Sequence, residues 1–303
     1  MNKHASSEFF CLDGSYATMR LVTTMRPVIE KQSDAKLETV FSLPGAEGRK
    51  SEGGLRTSGY FKRSLSDKPL ITVITVVFNG EKYLEETIKS VINQTYDNVE
   101  YIIIDGRSTD ATIDIINKYE GQIDYWVSAP DRGIYDAMNK GIRAARGVWV
   151  NFMNCGDSFH NENVIRDIIT KYSDVGHDVI YSDTLLINRI NGKKILHKCN
   201  HSKLILIHQS MFYKKKLHDL HGLYLVADHV TISDYIFFSL LDKGAFFKSE
   251  GVIANYDIGG ISNDKWAVEQ KFIIDYLINK MPKLKFILYF LFYNYKRLLL
   301  QYL

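Results

Sequence analysis

Residues 70–78 read LITVITVVF, and the fold follows from that stretch. Nine residues suit a strand better than a helix, and β-branched side chains dominate. The apolar run is continuous, with no polar alternation, which predicts a strand buried on both faces as in a parallel sheet. Asn79-Gly80 supplies a turn. Residues 81–93 then carry Leu84, Ile88, Val91 and Ile92 at helical spacing, with Tyr83 beside them. Strands are expected at 99–104, 124–127 and 148–153, and helices at 110–119 and 137–145. Strand and helix in alternation predict an α/β layered sheet, mostly parallel, flanked by helices with right-handed crossovers.

Further along, the pattern loosens. A helix is expected at 164–172, a strand at 179–182, a hairpin turning at Asn191-Gly192, a helix at 233–242 with Gly244 as its C-cap, and a strand at 246–256. This half reads as an elaboration on the same sheet. Residues 1–50 lack a period and read as a loosely packed arm. Residues 51–68, SEGGLRTSGYFKRSLSDK, read as a solvated linker. The chain thus divides into an arm and lead-in (1–68), a main domain (69–262) and a helical tail (263–303).

The 303 residues are 46% hydrophobic and 24% charged, with a net charge of +3. That balance fits a globular protein and lacks the basic excess of a nucleic-acid binder, so nucleic acid is not an expected partner. Cys11, Cys155 and Cys199 are odd in number and widely spaced, which predicts reduced thiols in a cytoplasmic protein. The opening MNKHASSEFFCLDGS lacks the apolar stretch of a secretory signal. No apolar run reaches the roughly 18 residues of a membrane span. Residues 282–303, PKLKFILYFLFYNYKRLLLQYL, combine aromatic, aliphatic and basic side chains. They read as an amphipathic helix lying in a lipid interface, or as a helix packed on the protein.

Ligands bind open α/β sheets at the carboxyl ends of the strands. Asn79-Gly80, residues 105–110 (DGRSTD), residues 131–136 (DRGIYD) and residues 154–157 (NCGD) all fall there. Three successive strand-end loops carrying Asp point to a shared polar cleft.

The segments VITVVFNGEKYLEETIKSVINQT, VEYIIIDGRSTDAT, DRGIYDAMNKGIRAARG and NFMNCGD, in this order, resemble the inverting family 2 glycosyltransferases of bacterial polysaccharide synthesis, which have the GT-A nucleotide-diphospho-sugar transferase fold. The likeness spans about residues 69–260. GGLRTSGYFKRS also looks like a lead-in found in some relatives, which implies that it is ordered.

The resemblance implies roles by position. Val77, Asn79 and Glu81 would border the nucleotide, and Asp105 would accept a hydrogen bond from a base N–H. By itself Asp105 reads equally as the carboxylate of a turn or helix cap, and Asp110 reads as a cap. Asp131, Arg132, Asp136, Asn139 and Lys140 would contact ribose and diphosphate, with Asp131 nearest the nucleotide. Asp136 and Lys140, four apart, also make a plain helix-surface pair. Asn154 and Asp157 stand where the family has its metal motif, here with one carboxylate, and Mg²⁺ or Mn²⁺ is the implied cofactor. Cys155 reads as a small buried residue.

An inverting transfer needs one carboxylate base for the acceptor hydroxyl. The resemblance implies an Asp just before a helix; Asp234 fits best and Asp228 stays open, while the first turn of a helix favours an Asp for its own sake. His208 and Gln209 would lie on the acceptor or phosphate side, and Gly260 in a loop over the diphosphate. The expected partners are a UDP-, GDP- or dTDP-sugar, a lipid-linked saccharide acceptor (O-antigen, capsule or exopolysaccharide synthesis) and the inner membrane surface. The alternative is a sugar-nucleotide-binding scaffold without turnover. A dinucleotide oxidoreductase is a weaker reading still, since no GxGxxG follows the first strand.

Overall fold

The computed structural model describes residues 8–29, 35–259, 265–278 and 281–301. Ten strands share one sheet: β1 (Ser51–Gly53), β2 (Ile71–Val77), β3 (Val99–Asp105), β4 (Tyr125–Ser128), β5 (Trp149–Phe152), β6 (Ser158–Phe159), β7 (Val179–Ile187), β8 (Lys194–His197), β9 (Met211–Lys214) and β10 (Phe246–Asp257). Their order is β1-β4-β3-β2-β5-β9-β7-β10-β6, with β8 paired to β7. β4-β3-β2-β5 run parallel, as does β7 with β10.

Every residue of β2 and β3 is buried, as a two-sided parallel sheet requires. The flanking helices are α1 (Leu84–Ile92), α2 (Thr112–Lys118), α3 (Ile134–Ala144) and α4 (Val164–Tyr172), followed by α5 (Lys216–His221). α1 turns Leu84, Ile88, Val91 and Ile92 into the core beneath β2 and β3. α3 begins three residues before its expected start, because Gly133, at φ +99°, serves as its N-cap.

The lead-in is not a solvated linker. β1 pairs antiparallel with β4, and two cations of this stretch are buried in ion pairs. Lys62 Nζ sits 2.8 Å from Asp124, with both side chains at most 2% exposed. Arg56 pairs with Glu100, equally buried. The preceding arm is also packed where described: Met19 and Val22 are fully buried, and Leu37 and Leu43 nearly so. Its apolar residues have no period because they fill single niches instead of forming one face.

Contacts divide the chain into two compact units, residues 1–226 with 242–258 and residues 227–241 with 259–303. The strands of the second half do extend the one sheet, while 227–241 leave it. The second unit holds α6 (Ser233–Ser239), α7 (Lys265–Leu277) and α8 (Lys283–Gln301). α6 stops at Ser239, and Gly244 is not its C-cap: it lies in a 3₁₀ turn whose Asp242 side chain accepts from the Gly244 N–H. α7 and α8 meet through stacked rings, Phe272 on Tyr289 and Tyr276 on Phe286.

Candidate active site

In the first unit, the strand-end loops are tied to one another by short polar side chains. Asn79, at φ +50°, accepts from the Thr109 N–H at 2.9 Å and donates its own N–H to Ser108 Oγ at 2.7 Å. Glu81 accepts from the Ala111 N–H. Asp110 accepts from Thr112 and from the Glu81 N–H. Burial alone would raise the Asp110 pKa, but those hydrogen bonds hold it below the usual carboxylate value. It closes the turn that leads into α2 and is not that helix's N-cap, which is Ala111.

Asp105 is fully buried. One oxygen accepts from the Ser108 N–H at 2.9 Å and from Ser128 Oγ at 2.6 Å; the other accepts from Ser108 Oγ. Its carboxylate therefore organises the loop, the turn role that the residue alone left open. Asp131 comes close: a Cβ on Gly106 would lie 2.6 Å from its Oδ2. Burial pushes the Asp131 pKa up, against a hydrogen bond from the Gly133 N–H and the charge of Lys140. Asp136 and Lys140 form the 3.4 Å helix pair, and Lys140 also donates to the Pro130 carbonyl at 2.6 Å. Asn139 is buried and bonds reciprocally to the backbone of Tyr224, so it anchors a neighbouring segment.

These loops line a cleft of about 860 Å³, bounded by Gly48–Lys50, Phe78, residues 106–109, Pro130, Asp131 and Gly133. Val77 lies buried at the end of β2 and does not line the cleft. Two contributors went unread in the sequence. Phe78 exposes 65% of its surface, and a large aromatic directly before Asn-Gly was a usable signal. Lys50 reaches Ser108 O from 58 residues away, a contact without a local sequence trace.

The loop after β5 carries the second cluster. Asp157 is 6% exposed. Its Oδ1 accepts from the Asp257 N–H at 3.0 Å and its Oδ2 from Gln209 Nε2 at 2.6 Å. Burial pushes its pKa up to about 7, only partly offset by those hydrogen bonds. Asn154 Nδ2 lies 3.0 Å from His208 Nε2, so Asn154, Asp157, His208 and Gln209 form one group. Cys155 packs against Gly80, and its thiol is pushed up to about 12 by burial, an inert residue as expected.

Among the described residues no three His, Cys, Asp or Glu side chains converge as a metal site. The spare donors near Asp157 are amide oxygens instead. Asn154 Oδ1 and Gln209 Oε1 are both buried without a hydrogen-bond partner. One carboxylate plus neutral oxygens suits a hard divalent cation that also takes substrate phosphates and water.

Asp234 and Asp228 belong to the second unit. Asp234 is half-buried in the first turn of α6, and its charge acts on Lys271. Asp228 is exposed and precedes His229, whose carbonyl accepts from Trp266 Nε1 and Gln270 Nε2. Gly260 lies outside the described residues.

Known proteins fit this geometry. The PGL/p-HBAD biosynthesis glycosyltransferase of Mycobacterium bovis is 27% identical over 210 residues, covering 64% of this chain and 80% of that protein. An uncharacterized glycosyltransferase of Mycobacterium tuberculosis is 37% identical over 113 residues, 37% of this chain and 43% of that one, so this match spans less than half of the relative. Staphylococcus aureus TarS in complex with UDP-GlcNAc superposes with a TM-score of 0.56 at 17% identity, over 69% of this chain and 65% of that one. The mannosyltransferase PcManGT of Pyrobaculum calidifontis, with GDP-Man and Mn²⁺, gives 0.50 at 17%, over 68% and 61%. At that identity the likeness is one of fold, the GT-A arrangement. The family model for glycosyl transferase family 2 matches residues 72–233, more than half of the chain and both strand-end clusters, and the chain belongs to that family.

Proposed function

We propose that this transferase moves a sugar, with inversion, from a nucleotide-diphosphate donor to a lipid-linked saccharide at the inner face of a bacterial membrane. The observation that carries the donor side is Asp157: a carboxylate buried without a counter-cation among the described residues, beside two unpartnered amide oxygens. Asp157, Asn154 and Gln209 would hold Mg²⁺ or Mn²⁺, which when bound neutralises charge on the diphosphate leaving group. The 860 Å³ cleft takes the nucleoside. Phe78 offers a ring face to the base, and Lys50 and Arg107 offer cations. Complexes of structural neighbours with UDP-GlcNAc and GDP-Man support this donor class.

Asp234 serves as the base that takes the proton of the acceptor hydroxyl. The membrane reading is supported by α8, which shows Leu284, Ile287, Leu288, Leu291 and Phe292 as an exposed apolar row, with Lys283 and Lys285 at its start. Such a face suits an anionic lipid interface. Among the described residues no helix is long and apolar enough to cross a membrane.

Thermal unfolding with UDP-, GDP- and dTDP-sugars, each with and without Mn²⁺, tests the donor site. One sugar nucleotide should raise the unfolding temperature in a metal-dependent way, because a ligand that binds only the folded state must stabilise it. No response to any donor would overturn the reading. Asp234→Asn should bind donor like wild type and lose turnover by about 100-fold, the lower range for removing a general base. The same loss in Asp228→Asn, with Asp234→Asn active, would move the base.

A further inference from the structure

No pattern in the sequence marks Arg189, which sits at the tip of the β7–β8 hairpin. The hairpin does not need it. Four residue pairs hold the ladder, and the Asn188 side chain accepts from the Ile190 and Asn191 N–H groups to close the turn. Arg189 instead reaches out of the hairpin to three other elements. Its Nε lies 2.9 Å from Asp257 Oδ2 at the end of β10. One terminal nitrogen lies 2.7 Å from Glu86 on α1. The other donates to the Gly156 carbonyl at 2.8 Å. The Tyr83 ring lies against the guanidinium, 4.9 Å away.

Two of these contacts adjoin Asp157. The Gly156 carbonyl belongs to the peptide group that leads into Asp157. Asp257 carries the backbone N–H that donates to Asp157 Oδ1. The same loop is gripped from the other side by buried Thr87, which accepts from the Gly156 N–H at 3.0 Å and donates to the Asp157 carbonyl at 2.7 Å. Gly156 has φ +98°, so the loop takes a shape that few residues adopt without support. The Glu86 contact is the least enclosed, with that side chain 56% exposed, and an exposed pair contributes little. The contacts with Gly156 and Asp257 are the ones that use the planar fork of an arginine, which a lysine cannot reproduce.

We propose that Arg189 is a positioning residue for the cation end of the donor site: it holds the Gly156–Asp157 peptide and Asp257 in register, so that the Asp157 carboxylate is presented to the metal. This rests on the reading above that Asp157 takes the metal. Arg189 touches neither metal nor donor; it acts through the groups that orient Asp157. Partners of this kind carry much of a metal site's affinity, typically about 10–100-fold on mutation.

The test is a Mn²⁺ titration, followed by thermal unfolding, at a fixed concentration of whichever of UDP, GDP or dTDP stabilises the wild type. Arg189→Met should raise the Mn²⁺ concentration at half-response by about 10–100-fold, while metal-free nucleotide binding and ligand-free unfolding stay close to wild type. Arg189→Lys should fall between. Glu86→Gln, which removes only the exposed contact, should match wild type. A wild-type Mn²⁺ midpoint in Arg189→Met overturns the proposal, as does an equal loss of metal-free nucleotide binding, which would mark a general structural role. Should Arg189→Met fail to fold, Arg189→Lys and Asp257→Asn decide. Unshifted midpoints in both overturn the proposal, and a shift in both supports it. A wild type that does not respond to Mn²⁺ with any of the three nucleotides overturns the metal reading itself; a responsive wild type whose Arg189 variants keep its Mn²⁺ midpoint overturns the role of Arg189 alone.

Discussion

Lys62 and Asp157 are both charged groups deep in the first unit, and their surroundings differ in one respect. Lys62 lies against Asp124, as Arg56 lies against Glu100. Asp157 has two hydrogen-bond donors and, among the described residues, no ion pair. A buried charge with a built-in counter-charge completes itself and serves the fold. A buried charge lacking one is costly to the protein unless it binds a proton or a cation. The contrast separates scaffold from site more sharply than burial or residue type does, since all three carboxylates are nearly inaccessible.

The comparison can be broken from the scaffold side, where the largest stability effect is expected. Lys62→Met leaves Asp124 buried with its charge uncompensated and should cost about 3–5 kcal/mol of stability. Denaturant unfolding measures this, and nucleotide binding below the new transition should persist. Loss of binding in a folded Lys62→Met would make the lead-in part of the site.

Asp157→Asn should do the reverse. The neutral amide removes an unpaired buried charge, and Gln209 can rotate to present its unpartnered Oε1. Ligand-free stability at neutral pH should hold or rise, while metal-dependent nucleotide stabilisation disappears. A clear loss of ligand-free stability in this variant would show that the loop is built like the scaffold pairs.

Acid sets Asp157 against Glu100 with smaller effects of opposite sign, whereas burial raises the Asp124 pKa even beside Lys62. The Asp157 pKa rises from 3.8 to about 7 on folding. Between those values the folded protein keeps a proton that the unfolded chain has lost. This group's contribution to stability therefore falls as pH rises through that window, by about 1.4 kcal/mol per unit at most. A divalent cation must displace the same proton, so Mn²⁺ affinity should drop by up to about tenfold per unit below pH 7. Glu100 goes the other way. Burial would raise its pKa, but Arg56 and Arg146 more than offset that. Its contribution is present above the ordinary glutamate value and is lost as pH falls through the lowered one. Stability and Mn²⁺ titrations of wild type and Asp157→Asn across pH 4–8 separate the two. A wild-type Mn²⁺ affinity that is flat with pH would remove the buried proton from the account.

What the sequence made legible follows the same divide. β2, β3 and α4 could be read within a residue, and α1 within three, because period and β-branching act locally. The strand-end loops were found through their Asp and Gly content, and the grouping of Asn154, Asp157, His208 and Gln209 matches the segments that the family likeness marked. Asp105 was read for its carboxylate, yet Ser108 and Ser128 set its surroundings, and only the folded register of β3 and β4 brings Ser128 there. Composition misreads the lead-in as solvated because GGLRTSGYFKRS is polar and aperiodic, while the family likeness implied its order; the carboxylates that Arg56 and Lys62 need stand 44 and 62 residues on. Arg189 was invisible for the same reason, since a hairpin tip has no periodicity and its partners come from three separate elements.

The antiparallel pairing of β1 with β4 and the two ion pairs of the lead-in also set where the protein can be cut. The family match begins at Thr72, the natural place to trim a catalytic fragment. A chain begun there would lack Arg56 and Lys62, leaving Asp124 a lone carboxylate inside the sheet and Glu100 with Arg146 as its remaining cation. The smallest piece able to fold as this unit starts upstream of Ser51, so proteolysis, truncation and domain grafting should all fail between that point and the first parallel strand.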